Sequence, residues 1–180
     1  MAGRQQQRLP LTREHVQALL SENWEQDIKG IMLLSLCAGM RLKDAANLKW
    51  ADISGGFISY TPEKTKRTSG VRVQVPLLPA LSETLEELPR TSEYVLPRLA
   101  DKYARSAHLL SKSLVKTLQS ITGKAVQDPT GRGKVARSAY GFHSLRHTFC
   151  TEAARAGVAP KLLAAMAGDN ITTLEHFFVK

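Results

Sequence analysis

The 180-residue sequence contains little cysteine, few aromatic residues and fewer acidic than basic side chains. Its two cysteines, Cys37 and Cys150, lie in apolar surroundings, which excludes a disulfide framework and predicts buried free thiols in a reducing compartment. No apolar run reaches the length of a membrane span, and the start, MAGRQQQRLP, lacks the apolar stretch of a signal peptide. We therefore expect one cytoplasmic domain with a sizeable core.

Charge is the first positive indication of a partner. The chain has 25 Lys and Arg against 16 Asp and Glu, a formal net charge of +9. This balance favours a polyanionic partner such as nucleic acid. Ordinary basic proteins reach similar values, so charge alone does not identify the partner.

Hydrophobic periodicity predicts an α+β fold that is mainly helical, with one small antiparallel β-hairpin. Thr12 has the character of a helix N-cap, and Gly39 that of a helix end. Alternation of Val71, Val73 and Val75 with polar residues has the period of a half-buried strand. The predicted helices cover residues 12–23, 27–38, 42–48, 81–88, 109–121, 143–156, 160–167 and 171–178, and the predicted strands cover 57–60 and 71–75.

The segment GFHSLRHTF, residues 141–149, places two histidines and an arginine at the start of an apolar helix. His143, Arg146 and His147 are three and four residues apart, so a helix carries them on one face. A guanidinium binds two phosphate oxygens, and an imidazole transfers protons near neutral pH. The segment is therefore a candidate phosphate site, and a basic helix end with a core leucine is the alternative.

A second arginine follows an apolar helix earlier in the chain. The segment LLSLCAGMRLKDAANLKWADI, residues 33–53, predicts a helix that ends at Gly39, a break that contains Arg41, and a further helix. Asp44 follows three residues later, close enough to hold the guanidinium by an ion pair. An ordinary surface ion pair is the alternative.

Together these segments resemble the catalytic domain of the tyrosine recombinase (phage integrase) family. That family has an arginine after an apolar helix, a lysine in a β-hairpin before a Val-Pro-Leu-like strand, and a later His-x-Leu-Arg-His motif. This chain has all three in that order, with FISYTPEKTKRTSGVRVQVPLLP as the hairpin. The resemblance covers residues 11–180 and leaves 1–10 as a linker or tail. It identifies Lys64 with the family lysine, and Lys66, two positions away on the same side of a strand, is the competing candidate.

The resemblance implies DNA strand cleavage and rejoining without a metal, ATP or another cofactor. A tyrosine attacks a phosphodiester, and two arginines, here Arg41 and Arg146, stabilise the negative charge that develops on the non-bridging oxygens. Lys64 would protonate the leaving 5′ oxygen, His143 would assist proton transfer at the nucleophile, and Asp44 would orient the first arginine. The resulting 3′-phosphotyrosyl link stores the bond energy for rejoining.

The chain departs from the family at the nucleophile and at one neighbouring position. The family tyrosine follows the glycine of a Gly-His or Gly-Trp pair by about ten residues, and ten residues after Gly168 is Phe178. A count one residue shorter falls on Phe177, and all four tyrosines of the chain precede the HSLRH motif. Asp169 replaces the family His or Trp, which removes an expected donor to the phosphate. His176 is a candidate to compensate, and a solvent-facing histidine is the alternative.

Two interpretations of the phenylalanine remain open. A Tyr to Phe exchange removes one oxygen and keeps the ring, so the sequence fits an active recombinase that was deliberately disabled at its nucleophile. A recombinase that has naturally lost cleavage and serves as a DNA-binding accessory protein is the other interpretation. We favour the first, because a chain without chemistry has no reason to keep Arg41, Lys64, His143 and Arg146 together.

The partner implied by the resemblance is double-stranded DNA. Full-length family members carry a separate N-terminal DNA-gripping domain and a C-terminal tail, and they assemble as tetramers on DNA. We therefore expect this chain to be an isolated catalytic fragment, monomeric in solution and associated with the nucleoid of a bacterium or phage host. The basic loop DPTGRGKVARSAYG is either a phosphate contact or a solvated connection. The candidate DNA contacts are Lys66, Arg67, Arg132, Lys134, Arg137 and His147.

Metal binding is the main rival use of the histidines. His143 and His147 have the i, i+4 spacing of a zinc protease helix, but serine rather than glutamate follows the first histidine. Arg146 would also place a positive charge beside the cation, so the sequence predicts no metal site. A type IB topoisomerase has a similar active site, but the size of this chain and its Val-Pro-Leu hairpin resemble integrases more closely.

Overall fold

The computed structural model describes residues 8–123, 126–127 and 137–178. This described part is mainly helical and contains a small antiparallel sheet, as the sequence predicts. The helices are α1 (Arg13–Ser21), α2 (Gln26–Ala38), α3 (Leu42–Ala46), α4 (Pro79–Glu86), α5 (Pro97–Thr122), α6 (Phe142–Arg155), α7 (Pro160–Ala167) and α8 (Ile171–Leu174). The strands are β1 (Ile53–Ser54), β2 (Phe57–Tyr60), β3 (Val73–Pro76), β4 (Val126–Gln127) and β5 (Arg137–Ser138), and single 3-10 turns cover Trp50–Asp52 and Glu175–Phe177.

Helix α2 is the centre of the domain. Its residues from Gly30 to Ser35 are buried on every side, which explains why the segment is apolar around its whole circumference. It packs mainly against α6 and α4. Cys37 on α2 and Cys150 on α6 are free and buried, as predicted, and burial raises the pKa of both thiols to about 11. Because the middle of α2 is buried on every side, the helix gives a rigid base to the residues that follow it, Gly39 to Arg41.

The ends of the first two helices follow local sequence signals. The side chain of Thr12 accepts a hydrogen bond from the backbone N–H of His15 at 3.3 Å, so the predicted N-cap is confirmed. Helix α2 ends at Gly39, whose φ of +62° is in the left-handed region that favours glycine. A Cβ at this position would lie 2.6 Å from a ring carbon of Phe149 on α6. Glycine therefore also allows the two helices to approach closely.

The hairpin is confirmed, with a third short strand beside it. Strands β1, β2 and β3 are antiparallel, and β2 pairs with β3 so that Ile58 opposes Val75 and Tyr60 opposes Val73. These four side chains are buried, which gives β2 and β3 the alternating pattern of a sheet with one covered face. The covered face packs against α7, whose final glycine lies close to Val73, and so supports the candidate site.

The second strand was predicted to begin at Val71, and this boundary is wrong. Val71 is 62% exposed and lies before β3, which begins at Val73. Residues 63–69 form consecutive turns, so Lys64 and Lys66 do not lie on the same side of a strand. The alternation of valines placed the start of the strand too early, because alternation does not reveal the backbone hydrogen bonds of a turn. Here the N–H groups of Thr68 and Gly70 donate to the carbonyl oxygen of Thr65.

Helix α5 begins twelve residues before the predicted start at residue 109. Ser106, with φ of −162° and ψ of 96°, interrupts it, and the part before Ser106 buries only Leu99 and Ala100. This part is mostly charged and polar, so its apolar period is too short to detect. Smaller differences occur at α1 and α3, which end at Ser21 and Ala46, and at α8, which gives way to a 3-10 turn after Leu174. Within the described residues, no helix combines the length and the apolar content needed to cross a bilayer.

Candidate active site

Two arginines that are far apart in the sequence bind the same carboxylate. Arg41 lies between α2 and α3, and its Nη2 is 2.7 Å from Oδ1 of Asp169. Arg146 lies in the second turn of α6 and donates from Nη2 to Oδ2 of the same residue. Arg146 is 3% exposed and the side chain of Asp169 is 13% exposed, so this cluster is largely removed from solvent. The structure therefore brings both candidate arginines to one anion-binding position.

Each guanidinium is also held by the carbonyl of a glycine that ends a helix. Arg146 donates from Nη1 to the carbonyl oxygen of Gly39, and Arg41 donates from Nη2 to that of Gly168 at 3.1 Å. Both glycines are in the left-handed conformation after α2 and α7. Carbonyl groups at helix ends lack intrahelical partners and carry partial negative charge, so they are suitable acceptors for a cation. The helix ends thus fix the two arginines before any ligand binds.

Gly168 also brings Asp169 close to the sheet. A Cβ at Gly168 would lie 2.8 Å from Cγ of Pro62 and 2.9 Å from Cγ2 of Val73. Only a residue without a side chain allows α7 to end this close to β3. The next residue, Asp169, is therefore directed at the arginines.

The predicted partner of Arg41 is wrong. Asp44 accepts a hydrogen bond on Oδ1 from the backbone N–H of Glu63 at 2.9 Å, and among the described residues the carboxylate paired with Arg41 is Asp169. Asp44 lies in the first turn of α3, and its hydrogen bond directs its side chain toward the turn after β2. Burial raises the pKa of Asp44, while the hydrogen bond from Glu63 and the charges of the two arginines oppose that change. Asp44 therefore anchors the turn that carries Lys64.

Lys64 faces the same carboxylate. Its Nζ is 3.7 Å from Oδ1 of Asp169, and its side chain is 68% exposed. Lys66 instead lines a separate cavity of about 620 Å³ next to Tyr60. Arg67 borders an open basic cavity of about 430 Å³ that also includes Arg41. Of the two candidate lysines, Lys64 is the one directed at the arginine pair.

The two histidines and one phenylalanine complete the pocket. The rings of His143 and His147 have centroids 4.9 Å apart, and the ring of His147 meets that of Phe177 edge-on at 5.4 Å. A small cavity of about 60 Å³ is lined by these three residues together with Arg146 and Asp169. His147 is 7% exposed, so it is an internal neighbour of the site rather than a surface contact for DNA.

Phe178 does not line this cavity. It is half-buried and packs against the hydrophobic core, one residue beyond the 3-10 turn that ends at Phe177. Counting ten residues from Gly168 assumes a regular helix to the end, whereas α8 is only four residues long. The shorter count, which falls on Phe177, is the one that reaches the arginine pocket.

His143 is tuned toward its neutral form. Removal of solvent by the surrounding chain lowers its pKa, and the positive charges of Arg146 and Arg41 lower it further. His143 is nevertheless exposed at the mouth of the pocket, unlike its neighbours Phe142 and Ser144, which are buried. Near neutral pH the imidazole is therefore uncharged and able to accept a proton from a group that reaches the pocket.

No tyrosine hydroxyl of the described chain is available at the site. Tyr60 is the tyrosine whose pKa the two arginines influence, and burial, its largest cause, raises that pKa. Its hydroxyl is enclosed and has no hydrogen-bond partner among the described residues. An enclosed, protonated phenol cannot approach a phosphodiester, so Tyr60 does not replace the missing nucleophile.

Some predicted contacts fall outside the described structure. The side chains of two candidates, Arg137 and His176, are not described, and neither are those of Val126 and Gln127. Arg132 and Lys134 lie wholly outside the described residues, so all four candidate roles remain predictions. In the part of the chain that is described, no group of three or more His, Cys, Asp or Glu side chains is placed to hold a metal ion.

Three functional contributions were absent from the sequence reasoning. They are the carbonyl groups of Gly39 and Gly168 and the acceptor role of Asp169, which the sequence marked only as the loss of a donor. One signal in the sequence could have indicated them. Asp169 is a carboxylate directly after a glycine that ends a helix, in a chain with two arginines that are candidates for binding an anion.

Comparisons with known proteins identify the family and the fold. The model of the phage integrase family matches residues 10–177. A lambda integrase dimer bound to a COC′ core site has 19% identity and a TM-score of 0.69, over 99% of this chain and 62% of that one. A Tyr to Phe variant of the Tn1549 transposon integrase, in complex with transposon right end DNA, has 17% identity and a TM-score of 0.63, over 100% and 64%.

The catalytic domain of bacteriophage HP1 integrase has 18% identity and a TM-score of 0.61, over 95% of this chain and 87% of that one. This chain spans less than two thirds of the lambda and Tn1549 chains. No curated protein sequence matches it significantly. Because the family model covers nearly the whole sequence, the chain belongs to the phage integrase (tyrosine recombinase) family, and it has the fold of that family's catalytic domain.

Proposed function

We propose that this chain is the catalytic domain of a site-specific DNA recombinase whose cleavage site is assembled except for the nucleophilic hydroxyl. The observation that carries the proposal is the convergence of Arg41 and Arg146 on the two oxygens of one anion. Two guanidinium groups fixed in this way stabilise the charge that develops on a phosphodiester under attack, without reorganising during the reaction.

The remaining residues have complementary roles in this proposal. Lys64, exposed and 3.7 Å from the anion position, protonates the leaving 5′ oxygen. His143, with its lowered pKa, takes the proton of the attacking hydroxyl. Asp44 supports the lysine by holding the backbone of Glu63. The step breaks the P–O5′ bond and forms a bond between phosphorus and the tyrosine oxygen, and rejoining reverses it.

Phe177 is the position from which a tyrosine would act. Both phenylalanines pack against the core, but it is the ring of Phe177 that lines the pocket and contacts His147. A hydroxyl added to the ring of Phe177 is therefore the smallest change that supplies a nucleophile. The Tn1549 transposon integrase in complex with transposon right end DNA also carries a Tyr to Phe exchange, so such an exchange is compatible with DNA binding in that protein.

Double-stranded DNA is the proposed partner. The charge of +9, the basic cavity bordered by Arg41, Lys64 and Arg67, and the DNA-bound state of the lambda and Tn1549 integrases support it. The same proposal includes a monomeric state of this chain in solution, assembly as a tetramer on DNA in the full-length protein, and a cytoplasmic location in a bacterial or phage setting.

A non-cleaving DNA-binding accessory protein is the second candidate. Two observations favour it: both positions at the end of the last helix are phenylalanine, and an acidic residue already occupies the arginine pair. On this alternative the arginines stabilise the fold and bind DNA, and no covalent step takes place.

Covalent adduct formation distinguishes the two candidates. The chain is prepared as Phe177→Tyr and as Phe178→Tyr, each with Asp169 kept and with Asp169→His. Each protein is incubated with a library of random-sequence duplexes that carry 5′-bridging phosphorothiolates, which trap cleavage, and protein-linked DNA is recovered after denaturation. We expect adducts with Phe177→Tyr only. Adducts with Phe178→Tyr alone would support the ten-residue count, and binding without adducts in all four proteins would support the accessory protein.

A further inference from the structure

Asp169 occupies the place where a phosphate would bind if the proposed function is right. Each of its oxygens takes one guanidinium, Oδ1 that of Arg41 at 2.7 Å and Oδ2 that of Arg146. Arginine binds carboxylates and phosphates through the same pairs of N–H donors. The two anions are therefore alternatives for one position.

The carboxylate leaves donors unused. Nη1 of Arg41 is enclosed and has no hydrogen-bond partner among the described residues, and Nζ of Lys64 is 3.7 Å from Asp169, which is longer than a hydrogen bond. A carboxylate has two oxygens, both already bound to arginine. A phosphate has additional oxygens at tetrahedral angles, so it can satisfy donors that Asp169 leaves unpaired.

The surroundings leave room for the carboxylate to move. Asp169 lies in the short connection between α7 and α8, directly after Gly168 in its left-handed conformation. An open cavity of about 360 Å³ lies beside it, bordered by Lys64, Val73 and Thr173. Rotation of the Asp169 side chain toward this cavity keeps it near Lys64 and releases both arginines.

We propose that Asp169 is an internal competitor of phosphate. In the resting protein its carboxylate neutralises Arg41 and Arg146 and holds them at the correct separation, and DNA binding requires its displacement by the phosphodiester. This inference rests on the proposed function, because it takes phosphate as the ligand of the arginine pair. Its consequence is that the unmodified chain binds phosphate weakly and that removal of the Asp169 charge strengthens binding.

Titration with inorganic phosphate tests the competition without DNA and without cleavage. Three proteins are compared by calorimetry at constant ionic strength: the unmodified chain, Asp169→Asn and Glu63→Gln. Glu63 borders the same basic cavity as Arg41 and pairs with Lys43, so its neutralisation changes the net charge equally but leaves the arginine pair intact. We expect Asp169→Asn to bind phosphate at least about tenfold more tightly, and Glu63→Gln to differ from the unmodified chain by less than about twofold.

Thermal unfolding in chloride and in phosphate provides the second measurement. Asp169→Asn leaves the buried Arg146 without its anion, so we expect a lowered unfolding temperature in chloride that phosphate restores. Folding only in phosphate would also support the proposal. Equal phosphate affinity of Asp169→Asn and Glu63→Gln would overturn it, and so would a variant that folds in neither salt, because the carboxylate would then be a fixed part of the structure.

The outcome is independent of the cleavage experiment. Phosphate competition measures binding at Arg41 and Arg146 in a chain that retains Phe177. A positive titration without any adduct would keep the competition and reject the recombinase reaction. The opposite result is also possible to recognise. If Phe177→Tyr forms adducts equally well with Asp169 and with Asp169→His, and the phosphate affinity is unchanged, the recombinase reaction is kept and the competition is rejected.

Discussion

Gly39 is the residue whose substitution best tests how the arginine pair is built. Alanine there must adopt the left-handed conformation, which costs about 1 kcal/mol for a residue with a side chain. Its Cβ would also lie 2.6 and 2.8 Å from two ring carbons of Phe149, in the tight contact between α2 and α6. Accommodation of an added methyl group in a packed core typically costs about 1–3 kcal/mol. We therefore expect Gly39→Ala to lower the free energy of unfolding by about 2–4 kcal/mol.

Gly157 provides the matched control for this prediction. It follows α6 with φ of +83°, and a Cβ there would meet no described atom within 4 Å. Gly157→Ala therefore carries the backbone cost of about 1 kcal/mol without the clash. Urea unfolding followed by tryptophan fluorescence measures both variants. If the two free energies of unfolding agree within about 0.5 kcal/mol, the close approach of Gly39 to Phe149 is not a constraint and the reasoning is refuted.

Two further predictions concern proton transfer and use Phe177→Tyr as the active background. Lys64→Ala should change the free energy of unfolding by less than about 1 kcal/mol, because the side chain is 68% exposed. On duplexes with an ordinary 5′ oxygen, since a 5′-bridging sulfur leaves without a proton, it should slow adduct formation by about 10²–10⁴-fold while Lys66→Ala does not, and equal slowing by both would reassign the acid. The lowered pKa of His143 keeps its imidazole neutral to below pH 6.5, so the acid limb of the adduct rate should have its midpoint below 6.5 and disappear in His143→Gln. An acid limb of the adduct rate that is unchanged in His143→Gln would show that another group titrates. The same lowered pKa means that the unfolded chain binds the proton at a higher pH than the folded chain, so the contribution of His143 to the free energy of unfolding should fall as the pH drops through 6.5.

The sequence predicted the local setting of each arginine, and their convergence was expected from the family resemblance. Gly39 ends a helix by its own conformational freedom, so Arg41 had to follow a break, and the spacing in HSLRH had to place Arg146 and the histidines on one helix face. Alternation also located β3, although not its first residue. Each of these features depends on residues only a few positions apart.

The partners of those residues depend on distant segments and were not predictable. Asp44 was assigned to Arg41 because it is near in sequence, but helix geometry directs it to the backbone of Glu63. Asp169 reaches Arg41 only because Gly168 allows α7 to end against the sheet. The position of the last phenylalanine ring was uncertain for the same reason, since it depends on where a four-residue helix changes to a 3-10 turn.

A site built to bind phosphate has an electrostatic difficulty when it is empty. Two guanidinium groups held at one position repel each other, and Arg146 is too deeply buried for water to screen its charge. Removal of the partner of a buried charge costs about 3–5 kcal/mol, so the resting protein requires an anion there. Asp169 supplies that anion from within the chain, which keeps the arginines ordered in the absence of DNA. If phosphate is the ligand of the arginine pair, as proposed, the same contact lowers their affinity for it, because a phosphodiester must first displace the carboxylate. On that proposal, stability of the resting site and strength of DNA binding are opposed at this one residue.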